Sequence, residues 1–100
     1  MDNRNDFITF LLGADTNEGY EKLLKIIGEA FNFENDMYEA VISYGSEILI
    51  DRNKEYHGIT LNAKILRVGP DAIYLALFID NNCIYCDYIM EYEQYLEKYV

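Results

Sequence analysis

The chain has 100 residues, 18 acidic and 8 basic side chains, and a formal charge of −10. That length predicts one domain, 1–100, because two separate cores would each be too small to stand alone. Ten tyrosines, five phenylalanines and a single proline exclude a disordered or low-complexity chain, and the negative charge excludes a basic stripe for nucleic acid or an anionic membrane.

The first six residues, Met1 to Asp6, lack a cationic start. The apolar run Phe7 to Leu12 is too short for a secretory core or a span, so the expected location is the cytoplasm. Residues 6–12 fit either a short helix or a buried strand, with Asn5 or Asp6 as a cap and Gly13 as a stop. The helix is the favoured reading.

Tyr20, Leu23, Leu24, Ile27 and Phe31 fall on one helical face, which predicts a helix over 16–31. Asp15 and Glu18 have capping-box spacing, and Glu18–Lys22 and Glu21–Lys25 are favourable i,i+4 pairs. Residues 39–51 hold two β-rich runs, Ala40 to Tyr44 and Glu47 to Ile50, split by Gly45-Ser46. They are expected to form a hairpin. A helix from Asp36, with Met37, Val41, Tyr44 and Ile48 on one face, is the alternative.

Ile59, Leu61, Ala63 and Ile65 alternate with polar residues, the period of a half-buried strand. The alternation slips at Ile65-Leu66, as a bulge would make it. Gly69-Pro70-Asp71-Ala72 predicts a turn, with Pro70 preset for its second position. Ala72 to Ile79 is apolar on both faces, as in a central covered strand. Asp80-Asn81-Asn82 offers caps for a helix over 83–99, in which Tyr85, Tyr88, Tyr92, Tyr95 and Tyr99 crowd into one arc. The fold class is therefore α+β: an antiparallel sheet of three to five strands, packed by helix 16–31 and a C-terminal helix 83–99.

Cys83-Ile84-Tyr85-Cys86 is a C-x-x-C at the start of that expected helix, where the N-terminal dipole would stabilise a thiolate. The stretch from Leu75 to Cys86 resembles the strand–loop–redox-helix element of the thioredoxin family. That resemblance implies a dithiol redox protein using Cys83 and Cys86. The chain departs from the family in that its one proline, Pro70, precedes the motif. Read from the residues alone, the two cysteines are small buried apolar groups. With His57 they make three soft ligands, one short of a structural zinc site. His57 sits in a polar connection and reads as an exposed turn residue. The six glycines are scattered, so there is no phosphate loop. No metal, cofactor or catalytic residue is expected.

Charge is segregated along the chain. Glu29, Glu34, Asp36, Glu39 and Glu47 are the only charges from 26 to 50, and Asp71, Asp80, Asp87, Glu91, Glu93 and Glu97 the only ones from 68 to 97. Arg52, Lys54, Lys64 and Arg67 lie between them. Carboxylates at helical spacing can stand in for a row of phosphates, and tyrosine gives large contact area at low entropic cost. The partner-binding residues expected from this pattern are Glu34, Asp36, Glu39, Asp87, Glu91, Glu93, Glu97, Tyr88, Tyr92 and Tyr95.

The expected function is that of a non-enzymatic inhibitor that meets a basic protein, such as a nucleic-acid-binding enzyme, by mimicking a polyanion. In size and composition the chain is similar to small phage-encoded antagonists of host defence. An immunity protein or antitoxin against a basic toxin would use the same electrostatics, and the dithiol redox protein is the alternative from another class. No direct contact with nucleic acid or membrane is expected, and a homodimer is compatible with the pattern.

Overall fold

The computed structural model describes residues 35–99, together with Glu18, Gly19, Glu21, Lys22 and Lys25. Those elements run in the order α1 (Asn35–Ser43), β1 (Ser46–Tyr56), β2 (Ile59–Val68), β3 (Ala72–Ile79), β4 (Asn82–Glu91) and α2 (Tyr92–Tyr99). The described strands form an antiparallel four-stranded sheet in the order β1-β2-β3-β4. The α+β fold with a C-terminal helix is thus the one expected. Of the helix expected over 16–31, the five described positions are helical; the remainder, and the element expected over 6–12, lie outside the described residues.

Turn chemistry sets the register. His57 and Gly58, at φ 50° and 79°, join Tyr56 to its partner Ile59. Asp80 and Asn81, at φ 48° and 68°, join Ile79 to Asn82 in the same way. Two successive left-handed residues make the hairpin turn whose twist matches the flanking strands, and Asp, Asn and Gly tolerate it best. Asp80 also closes its hairpin sideways: its carboxylate accepts from the Thr60 amide at 2.9 Å, and its own amide donates to the Thr60 carbonyl at 2.8 Å.

The sheet has two apolar faces. Leu61, Ala63 and Ile65 of β2 and Ile73, Leu75 and Leu77 of β3 share one, each at most 1% exposed, and Tyr95 of α2 joins them. Each large aliphatic chain so buried contributes about 1.5–3 kcal/mol. Leu66, Ala76, Phe78, Cys83 and Cys86 share the other, beneath Val41 of α1. Tyr38 of α1 meets Phe78 edge to face at 4.8 Å. Ile65 and Leu66 are both fully buried because they point to opposite covered faces. The ladder does slip there, but the extra residue is Leu49 on β1, between Ile48 and Ile50.

Two expectations are corrected. The helix over 83–99 is a helix only from Tyr92; residues 82–91 are strand β4. β4 carries bulges at Ile84 and Ile89, where the register against β3 shifts. Each bulge inserts one residue into a period of two, and the result mimics helical spacing. The tyrosine arc therefore divides: Tyr85 belongs to the face under α2, whereas Tyr88 lies opposite Tyr74 on the face under α1.

The hairpin over 39–51 is half replaced as well: residues 35–43 are helix α1, as in the first part of the alternative reading, but Tyr44 and Ile48 of its expected face lie beyond the helix, and 46 onward is strand. Asp36 favours the helix by lying in its first turn. Gly45, at φ 79°, stops it, its amide donating to the Ile42 carbonyl at 3.0 Å. Gly45 is thus a helix stop and not a hairpin turn.

Candidate functional site

The junction of β4 and α2 brings three carboxylates together. Ala72 pairs with Glu91 across the sheet, so Asp71 at the end of the β2–β3 turn sits beside Tyr92. The Tyr92 amide donates to the Asp71 carbonyl at 2.6 Å, and the Glu91 amide donates to Gln94 Oε1 at 3.1 Å. These bonds satisfy two of the amides that every helix start leaves open, the second in the manner of a capping box. They explain why the helix begins at Tyr92. Glu93 in the first turn and Lys98 in the last complement its dipole.

Asp71, Glu91, Tyr92 and Glu93 line an open concavity of about 250 Å³. Beside it, Arg67 packs its guanidinium 3.9 Å from the Tyr92 ring centroid, and its Nε and Nη2 both donate to the Pro70 carbonyl. Tyr95 stacks on Tyr92 with centroids 6.3 Å apart. Tyr88 and Tyr74 meet edge to face at 6.0 Å. The Tyr88 hydroxyl titrates above the ordinary tyrosine value, through loss of solvent first and then the Glu91 charge.

The expected binding residues separate into those brought together and those kept apart. Glu91, Glu93 and Tyr92 meet in the concavity, and Glu97 is exposed on the same helix. Asp87, expected on a polar helix side, is half-buried on β4, where its Oδ1 accepts from the Tyr88 amide at 2.8 Å. Tyr95 is 5% exposed and belongs to the core; burial raises its hydroxyl above the ordinary value. Asp36 and Glu39 are exposed on α1, and Glu34 lies outside the described residues. Sequence reasoning missed the roles of Asp71 and Arg67. The available signal was the turn residue Pro70, which places both at one end of the β2–β3 hairpin.

Cys83 and Cys86 are on strand β4, not at a helix start, and both are buried thiols. The helix dipole invoked for a reactive thiolate is therefore not at hand. Cys83 Sγ donates to the Tyr85 carbonyl at 3.3 Å. His57 is exposed in the β1–β2 turn, its ring edge to face with Tyr56.

A second concavity, about 210 Å³, lies on the polar part of the face under α1, lined by Asp51, Asn53, Asn62, Lys64, Phe78 and Asn81. Asp51 accepts from Lys64 Nζ at 3.0 Å and from Asn62 Nδ2 at 2.6 Å. The Asn62 bond, more than the Lys64 charge, holds the Asp51 carboxyl below its ordinary value. Its cation and anion cancel, so this site carries little net field. Among the described residues no cluster of three metal-ligating side chains occurs, and no helix is long and apolar enough to cross a membrane. Comparisons with protein-family models, with curated proteins and with solved structures find no match.

Proposed function

We propose that the protein is a non-enzymatic binding protein whose acidic, tyrosine-bearing corner meets a basic protein partner. The observation that carries this reading is the convergence of Asp71, Glu91 and Glu93 around Tyr92. The segregation of charge along the chain is partly kept in the fold. The acids of β4 and α2 lie toward the β4 edge of the sheet with Asp71 beside them, while Arg52, Lys54 and Lys64 lie on β1 and β2 among Glu47, Asp51 and Glu55, and Arg67 stands over Tyr92 at the corner itself. A patch with net negative charge, here three carboxylates against the one guanidinium of Arg67, steers an oppositely charged partner into encounter. Tyrosine at its centre supplies rigid contact area. A nucleic-acid-binding enzyme is the partner class that a phosphate-like row of carboxylates fits, and a basic toxin presents the same chemistry.

Affinity capture from the source cell tests the proposal. The immobilised parent chain should retain a basic protein at low salt and release it as ionic strength rises. Glu91→Lys/Glu93→Lys/Glu97→Lys should retain none, whereas Glu18→Lys/Glu47→Lys/Glu55→Lys, reversed at three other exposed acids, should retain it in reduced amount. Equal retention by both variants at every salt concentration would dismiss the acidic corner as the contact.

A further inference from the structure

We propose that α1 is a detachable cover over a buried pair of thiols, which makes Cys83 and Cys86 a gated modification site for soft electrophiles. In a regular strand, residues three apart point to opposite faces. Here the bulge at Ile84 resets the alternation, so Cys83 pairs with Phe78 and Cys86 with Ala76, two positions of β3 that share a face. Both thiols therefore lie in one apolar floor, at 0% and 1% exposure. Phe78 and Ala76 stand two residues apart, about 6.7 Å along the strand. Neither is in a disulfide, so the pair presents two thiols to a reagent.

Among the described residues, the cover over that floor is slight. α1 has nine residues, shorter than a helix that holds itself in water. Among its residues Val41 alone is buried, with Tyr38 half-buried against Phe78. Met37 and Ile42 on its flanks are each 44% exposed. A helix that buries one side chain and leaves most of the others exposed opens locally at lower cost than the sheet beneath it. Once it lifts, a thiolate sulfur can attack the methylene of a haloacetamide. The S–C bond forms, the C–I bond breaks, iodide leaves, and the thiol proton goes to solvent. The adduct adds several heavy atoms to a packed floor, so modification and docking of α1 exclude one another. Asp36 and Glu39 ride on α1, so modification would also move two expected contact residues; that consequence rests on the proposed function, the gate does not.

The test is the rate of iodoacetamide labelling of the native full chain at fixed pH, read by intact mass. The parent should label far more slowly than a cysteine peptide. Ala40→Gly, at an exposed α1 position, should speed labelling about fourfold through helix propensity alone. Ile65→Val, on the opposite face of the sheet, should lower the melting temperature and leave the native labelling rate unchanged. The doubly labelled protein should lose amide-exchange protection over 35–43 and keep it in β2 and β3. The proposal is overturned if labelling follows global stability across both variants, if the parent labels as fast as the peptide, or if the labelled protein keeps α1 protected.

Discussion

Arg67 on β2 lies with its guanidinium over the ring of Tyr92 on α2 while both of its bonding nitrogens reach the Pro70 carbonyl. One side chain thereby ties the second strand, the β2–β3 turn and the C-terminal helix together. A cation over an aromatic face adds about 0.5–1 kcal/mol at a half-exposed site, and a charge-assisted bond to a carbonyl a similar amount or more. Arg67→Ala should therefore cost about 1–2 kcal/mol in chemical denaturation. Arg67→Lys should recover little of it, because an ammonium cannot stack and fork at once. Parent-like stability of Arg67→Ala would show the contact to be incidental.

Two truncations separate β4 from α2. Ending the chain after Glu91 removes the Tyr95 anchor and should cost about 3 kcal/mol, by analogy with other aromatic deletions. It should still give a cooperative transition, about 12–24 °C lower. Ending it after Asn82 removes a whole strand with Cys83, Tyr85, Cys86 and Met90 from both faces. That loss exceeds the margin of a small domain. A cooperative transition in the shorter chain would mean that β4 is an appendage.

The Asp51 network predicts a pH dependence. Its carboxyl is lowered below the ordinary value of 3.8, by the Asn62 bond first. A lowered folded value means that the contribution is present above the unfolded value and is lost as pH falls through the folded one. Asp51 is exposed, so the contribution is under about 1 kcal/mol. The stability gap between parent and Asp51→Ala should be constant from about pH 7 to pH 5 and close as pH drops below about 3.8. A gap that widens toward low pH would contradict the assignment.

The central hairpin was legible because its signals are local: period two from Ile59 to Ile65, Pro70 in the turn, and an apolar run for β3. β4 was not, because its bulges at Ile84 and Ile89 turn a strand into a pattern of threes and fours that matches a helix face. α1 was hidden by the β-branched pair Val41-Ile42, although the helix buries only Val41. The acidic corner was half legible. Glu91, Tyr92 and Glu93 are neighbours in the chain, but Asp71 joins them only through the Ala72–Glu91 register, and no one-dimensional pattern encodes a register.

The acidic corner can be tested before any partner is known. The measurement is an amide NMR titration of the full chain with a short arginine-rich peptide, at low and at physiological salt. Steering by a concentrated patch predicts that the shifts gather at Asp71, Glu91, Tyr92, Glu93 and Glu97 and weaken as salt screens the charges over about 8 Å. They should vanish there in Glu91→Lys/Glu93→Lys/Glu97→Lys. Shifts spread evenly over Glu18, Glu47, Glu55 and the corner, in parent and variant alike, would contradict the account and leave the acidity as a solvated surface.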